Sequence, residues 1–336
     1  MLENLILLIL LTNFPVVVFF KKITKLININ DKADNVRKFH KNTVPLFGGI
    51  LIIYNLIIFL LLDNLLDLNL FQEFKTRREF FTFYTGIIAF FLLGIFDDKY
   101  NLTANKKLFL NFFIVLFLIL LDDKLVVREL NFSFFENPIY LNNFSHLFTI
   151  LCILLLINAL NMFDGINLQT GTYCLIVFLV FLIKNIFVPL SLILICVLII
   201  FLFYNSLNKI FLGDSGTQLI AFIISYILIK SHNLSQNFTP EEIFIILSFP
   251  GLDMFRLFLF RIVKGKNPFK PDTNHIHHLM IKKLSKLKTF LIIQSCIIFN
   301  IFFLYFINNK LNALFLSIIS YLSLYLIFFK KGKKIE

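Results

Sequence analysis

Residues 272–278 read Asp-Thr-Asn-His-Ile-His-His, so His275, His277 and His278 supply three of the chain's six histidines. Lys264, Lys266 and Lys270 precede them, and Lys282 and Lys283 follow. A zinc site would want cysteines or spaced histidine pairs in a closed tetrahedral set. No cysteine is near, and the lysines repel a cation. A phosphate-rich ligand suits the loop better, with imidazoles as donors beside lysine point charges.

Three other stretches carry acids and amides. In "GIFDDKYNL", Asp97 and Asp98 end an apolar run, where the helix dipole disfavours negative charge. In "NALNMFDGINLQTG", Asn158 and Asn161 stand three apart on one helix face, and Asp164 lies three further on. Such groups at a membrane helix end should face a polar cavity. In "KIFLGDSGTQLIAF", Gly213 and Gly216 flank Asp214 and Ser215 at a helix start, whose free N–H groups could bind an anion. Taken singly, each has a plainer explanation: a solvated loop start, interhelical hydrogen bonds or an N-cap. Together, acids beside lysines suggest Mg²⁺, with Mn²⁺ as the substitute ion, held between carboxylates and substrate phosphates. The chemistry would be phosphoryl transfer or hydrolysis at a membrane surface. A second pair, Asp122-Asp123, also ends an apolar run, but where nothing else converges, and is expected to be solvated.

The elements that position these groups must be membrane helices. The chain of 336 residues is 58% hydrophobic, with 46 Phe and no Trp, and its mean hydropathy is +0.85. Apolar runs of roughly 17–25 residues, the length a bilayer requires, recur throughout. They are continuous rather than alternating, which disfavours a β-barrel. The expected fold is an all-α polytopic transmembrane helical bundle forming one domain over residues 1–336. Roughly eleven spans are expected, at about 4–20, 46–62, 80–96, 107–121, 147–162, 170–184, 186–204, 216–230, 241–260, 289–308 and 311–329. The N-terminal run has no basic start and no small-residue cleavage site, so it reads as a retained helix. The four cysteines lie inside apolar runs and signal neither zinc nor disulfides. No internal repeat supports an inverted-repeat transporter.

The net charge of +12 does not point to nucleic acid, because the basic residues sit in short loops. With the N-terminus outside, loops 21–45, 97–106, 163–169, 205–215 and 261–288 and the C-terminal tail face the cytoplasm. These hold about 22 of the basic residues and the opposite loops about eight, a positive-inside asymmetry. Lys75, Arg77 and Arg78 lie on the wrong side. In this arrangement every acidic and histidine-bearing stretch above, except Asp122-Asp123, falls on the cytoplasmic face.

Five ordered blocks, "DKADNVRKFHKNTVPLFGG", "GIFDDKYNLTANKKL", "NALNMFDG", "KIFLGDSG" and "FPGLDMFRLFLFRIVKGKNPFKPDTNHIHHLM", resemble the polyprenyl-phosphate N-acetylhexosamine-1-phosphate transferases (glycosyltransferase family 4). The resemblance implies a bacterial inner-membrane, multi-pass enzyme with its active site on the cytoplasmic face. It would transfer a sugar 1-phosphate, GlcNAc-1-phosphate in the commonest case, from a UDP-N-acetylhexosamine to undecaprenyl phosphate. UMP would be released, and the step would begin a cell-surface polysaccharide such as O-antigen. By position, Asp97 and Asp98 would be the paired acids that help to hold Mg²⁺, and Asp214 its main ligand. Asp164 and Asn161 would line the nucleotide-sugar site, and Lys107 would contact phosphate. His275, His277 and His278, with Asp272 and Arg261 nearby, would form the sugar-nucleotide pocket. The partners would be the two substrates and the bilayer, with a homodimer allowed. The chain departs from the family pattern at Asn167, where an aspartate is usual, and at Leu168, where glycine is usual. It departs again at Asn205-Ser206-Leu207-Asn208-Lys209, usually Asn-x-x-Pro-Ala-Lys, and at Ala33 and Asn111. Two rival readings are a transporter or flippase of a lipid-linked or anionic solute, and a weakly catalytic relative that binds lipid phosphate. A transporter's polar residues should lie near the bilayer midplane.

Overall fold

Apolar side chains surround most helices of this chain, so burial against neighbours leaves much of their surface for lipid. The computed structural model describes residues 2–31, 43–268, 274–307 and 309–330. Among them are the helices α1 (Leu2–Val18), α2 (Phe20–Ile27), α3 (Gly48–Leu66), α4 (Arg77–Tyr100), α5 (Ala104–Leu121), α6 (Ser145–Phe163) and α7 (Gln169–Ile183). There follow α8 (Val188–Ser206), α9 (Gly213–Ser235), α10 (Pro240–Val263), α11 (Ile276–Ile281), α12 (Lys286–Phe306) and α13 (Lys310–Lys330). Sheet is confined to two-residue antiparallel ladders, such as Asn30–Asp31 against Val44–Pro45.

Each of the eleven expected spans falls on a helix, but fewer than eleven qualify as crossings. Eight described helices are long and apolar enough, or nine if α1 and α2, bent by 70°, count as one. The remaining two are α7 and α9. The 15 residues of α7 reach only about 22 Å, short of a hydrocarbon core of about 30 Å. The 23-residue α9 has the length, but its Gly-Asp-Ser-Gly start and its Lys230–His232 end lower its apolarity.

α9 is nevertheless the centre of the bundle, packed by α3, α4 and α6. Leu219 to Ile224 are buried without a break. By contrast, α5 exposes Phe109, Phe113, Phe117 and Leu120 along one stripe, the pattern of a lipid-facing helix. α4 and α9 run antiparallel in a fixed register. The Glu79 carboxylate lies by Lys230, Gly86 meets the Phe222 ring, and Gly94 meets the Ser215 backbone.

One end of this pair overturns an expectation. Asp122 is not solvated: it is 2% exposed and its Oδ2 lies 2.6 Å from Lys230 Nζ. Lys230 is equally buried and also approaches Glu79 at 3.8 Å, while Lys124 pairs with Glu79 at 2.9 Å. The partner that makes burial affordable comes from a helix more than a hundred residues away, so the local sequence could not show it. Only Asp123 behaves as expected, exposed and paired with Arg128 at 2.7 Å.

Candidate active site

The other end of the α4–α9 pair assembles the acids. α4 can approach the start of α9 because residue 94 is glycine. A Cβ there would lie 2.3 Å from Ser215 Cα and 2.6 Å from its nitrogen, so any side chain would force the backbones apart. The residues before α3 complete the contact: Phe211 N–H donates to Pro45 O at 2.9 Å, and Gly48 N–H to Phe211 O at 3.0 Å.

At this junction the carboxylates divide their work. Asp98 Oδ1 accepts the Asp214 N–H at 2.7 Å and its Oδ2 accepts the Ser215 N–H at 3.1 Å. It therefore caps the N-terminus of α9 from a different helix, where the dipole favours negative charge. This corrects the expectation that those N–H groups are open to an anion, because Asp98 already takes two of them. Asp97 Oδ1 accepts the Leu102 N–H at 2.8 Å, and its Oδ2 pairs with Lys107 Nζ at 2.7 Å. Lys107 also bonds Asp214 Oδ1, which Asn161 Nδ2 contacts as well. Asn161 reaches Thr217 Oγ1 at 3.3 Å. One ammonium thus sits between two carboxylates from different helices. Asp214 is the more accessible of the two, its side chain 29% exposed. Asn158 does not join: it bonds Leu154 O on its own helix.

Asp164 follows the last turn of α6. The residue is solvent-exposed. Desolvation by the surrounding protein, and secondarily the Asp214 charge, push its carboxyl above the usual range. The turn after it is held by two of the unusual residues. Asn167 Nδ2 donates to Asn205 O at 3.1 Å and to Asn208 Oδ1 at 2.6 Å. An aspartate at 167 could not donate, so two departures from the family pattern are in direct contact. Leu168, at the usual glycine position, has φ +70°, which strains a side-chain-bearing residue by about 1–2 kcal/mol. Its N–H is held by Asn205 Oδ1 at 2.7 Å. Leu168→Gly should therefore raise stability by about 0.5–1 kcal/mol, the relief exceeding the added unfolded-state entropy. Thermal unfolding in detergent reads this, and a lower midpoint would refute the strain.

The histidines lie against the same turn. A Cβ on Gly165 would fall 1.9 Å from His277 Nε2, so the glycine lets the ring seat on the turn. His277 is 1% exposed, and neither ring nitrogen has a hydrogen-bond partner among the described residues. Burial first, then His278 and His275, hold its imidazole well below its ordinary value, hence neutral. The His275 and His277 rings stack with centroids 5.3 Å apart. Arg261 is buried and donates to Pro268 O at 2.6 Å, bracing the approach to the loop. Asp272 lies outside the described residues.

Sequence reasoning missed Asp253 and Arg256, which meet His275 from α10. Asp253 Oδ2 lies 3.0 Å from His275 Nδ1, and its Oδ1 lies 2.7 Å from Arg256 Nη2. An acid and an arginine three apart inside an apolar run were the available signal. Asp253, His275 and His277 are also the one described trio whose potential metal-ligating atoms converge, all within 4.8 Å of one another. Asp97 and Asp214 offer instead the oxygen donors that a hard divalent ion takes, with the Lys107 ammonium already lying between them.

The geometry can bring two anions together: Lys107 joins Asp97 and Asp214 at one end of the helices, and the His277 ring lies against Gly165, next to Asp164. Comparison with known proteins points the same way. The family described as "Glycosyl transferase family 4" matches residues 80–232, which include Asp97, Asp98, Lys107, Asn161, Asp164 and Asp214. The undecaprenyl-phosphate alpha-N-acetylglucosaminyl 1-phosphate transferase of Escherichia coli (strain K12) is 28% identical over 280 residues, covering 79% of this chain and 72% of the relative. That of Yersinia pestis is 28% identical over 274 residues, covering 78% and 72%. The probable undecaprenyl-phosphate N-acetylglucosaminyl 1-phosphate transferase of Bacillus subtilis (strain 168) is 29% identical over 288 residues, covering 81% and 75%. The motif residues gathered at this site and these matches along most of the chain make it similar to the members of glycosyl transferase family 4.

Proposed function

We propose that this protein transfers a sugar 1-phosphate, GlcNAc-1-phosphate in the first instance, from a UDP-sugar to undecaprenyl phosphate at the cytoplasmic face of a bacterial inner membrane. The observation that carries the reading is the meeting of Asp97, Asp98, Asp164, Asp214 and Lys107 at one end of an apolar bundle. A lipid acceptor can reach that end from the bilayer and a soluble donor from water. A transporter would place such groups near mid-membrane.

A phosphate monoester has a second pKa of about 6, so the lipid phosphate is mostly dianionic at neutral pH and needs no strong general base. Its oxygen attacks the sugar-bearing phosphorus, the bond from that phosphorus to the bridging oxygen breaks, and UMP leaves with that oxygen. The main obstacle is mutual repulsion of the two anions, and positioning can remove roughly 7–11 kcal/mol of the barrier. Lys107 supplies positive charge, Asn161 orients Asp214, and Asp98 fixes the turn that carries Asp214. Asp214, Asp97 and Asp98 would hold Mg²⁺, which would supply positive charge to the phosphates. A two-step route would make Asp97 or Asp98 a nucleophile. Direct attack is favoured because both Asp98 oxygens and both Asp97 oxygens already have donors.

The test is UMP release by purified protein given undecaprenyl phosphate, Mg²⁺ and a panel of UDP-sugars. Release should require both lipid and metal and be strongest with an N-acetylhexosamine donor. No release with any donor would refute the reading. A phosphorylated enzyme trapped before lipid is added would refute direct attack.

A further inference from the structure

We propose that Asp253 is a positioning residue for the donor site: it fixes which nitrogen of His275 is presented to the nucleotide sugar. The inference rests on the reading above, in which the histidine loop borders the UDP-sugar, and adds a part of the site outside the four-acid cluster.

Asp253 is 2% exposed and accepts from four groups. Oδ2 takes His275 Nδ1–H at 3.0 Å. Oδ1 takes the Ile276 N–H at 3.2 Å, the Tyr321 hydroxyl at 2.9 Å and Arg256 Nη2–H at 2.7 Å. Arg256 is fixed in turn, donating through Nε to Tyr321 Oη and through Nη2 to Asn274 O, both at 2.9 Å. Its guanidinium also lies 4.4 Å from the Tyr325 ring centroid. Thus α10, α13 and the segment entering α11 all hold one carboxylate, and its remaining oxygen meets His275.

The consequence is a defined tautomer. A ring donating through Nδ1 leaves Nε2 as the working nitrogen, and Nε2 has no hydrogen-bond partner among the described residues. The stacked His277 ring sits on Gly165, beside Asp164. That places His275 next to the ring that packs on the Asp164–Gly165 turn. When Nε2 carries a proton toward a phosphate oxygen, Asp253 is the counter-charge already in place. The same three side chains, Asp253, His275 and His277, also converge as a transition-metal site would. The Arg256 cation at 2.7 Å from Asp253 opposes a second positive charge there.

Asp253→Asn is the discriminating variant. Three donors claim the Oδ1 position, so the amide carbonyl takes that side and the –NH₂ group faces His275 Nδ1. A donor there excludes a proton on Nδ1 and forces the ring to the Nε2–H form. An acid behind a catalytic histidine sets the tautomer in this way in serine proteases. The expected result is a rise in the KM for UDP-GlcNAc of about tenfold: without the Asp253 counter-charge the ring still donates through Nε2 but as a neutral imidazole, so a charge-assisted hydrogen bond becomes a neutral one. The change in kcat should be smaller, and the KM for undecaprenyl phosphate should stay within twofold. His275→Gln and the double variant should match one another, because Asp253 acts only through His275.

A readout independent of turnover is the nitrogen spectrum of ¹⁵N-histidine-labelled protein in detergent, with His275→Gln used for assignment. His275 should be protonated at Nδ1 in the wild type and at Nε2 alone in Asp253→Asn. If Asp253→Asn does not fold, the wild-type spectrum and Tyr321→Phe, which keeps the carboxylate, carry the test: Nδ1 should stay protonated in both. An Nε2–H tautomer in the wild type overturns the proposal. So does an unchanged UDP-GlcNAc KM in folded Asp253→Asn, or a stoichiometric transition metal lost on His277→Ala. If the wild type turns over no UDP-sugar while His275 shows the expected tautomer, the transfer reading fails and the geometry stands.

Discussion

Asp214→Asn should lower the rate of sugar-phosphate transfer by about a thousandfold or more, while the purified protein stays folded. The expected size follows from removing the carboxylate that would hold Mg²⁺ and that positions Lys107, since one positive group lost from the reacting phosphates costs about 10²–10³ in rate. Here the loss is compounded, because Asp214 Oδ1 is the point where Lys107 and Asn161 converge. Without that charge, Lys107 has only Asp97 to hold it. Stability should change little, since the Asp214 side chain is partly exposed and the α9 N-terminus is capped through its backbone N–H by Asp98. Transfer measured as UMP release, beside thermal unfolding, separates the two effects. A variant with near-normal turnover would remove Asp214 from the chemistry, and one that unfolds would make its role structural.

Gly94→Val should abolish transfer through a different cause. The added Cβ would stand 2.3 Å from Ser215 Cα, 2.6 Å from Ser215 N and 2.7 Å from Asp214 O. These are backbone atoms and cannot turn aside as a side-chain tip could. α4 and α9 must separate, and the Asp98 bonds of 2.7 and 3.1 Å to the Asp214 and Ser215 N–H groups are the first lost. Overpacking alone costs about 1–3 kcal/mol and occasionally more, and a carboxylate stripped of its bonds adds to that. A fall in unfolding free energy of about 3 kcal/mol or more is therefore expected, together with loss of activity. Gly251→Ala is the matched control, because nothing lies within 4 Å of a Cβ at that position. If Gly94→Val retains wild-type activity and melting, the close α4–α9 contact is not what builds the site.

The bilayer class and the helices were legible in the sequence because hydropathy is a local, additive property of the chain. Each of the eleven apolar runs became a helix, although α7 is too short and α9 too polar at its ends to qualify as a crossing. The residues gathered at the candidate site were legible too, since an acid or amide at the end of an apolar run must find a partner or a polar cavity. Tertiary structure alone decided the partners. It made Asp98 the cap of α9, buried Asp122 against Lys230, and put Asp253 behind His275. Those outcomes depend on which helices pack and in what register. A buried charge is tolerated only where a distant residue meets it, and a single sequence does not display that distance.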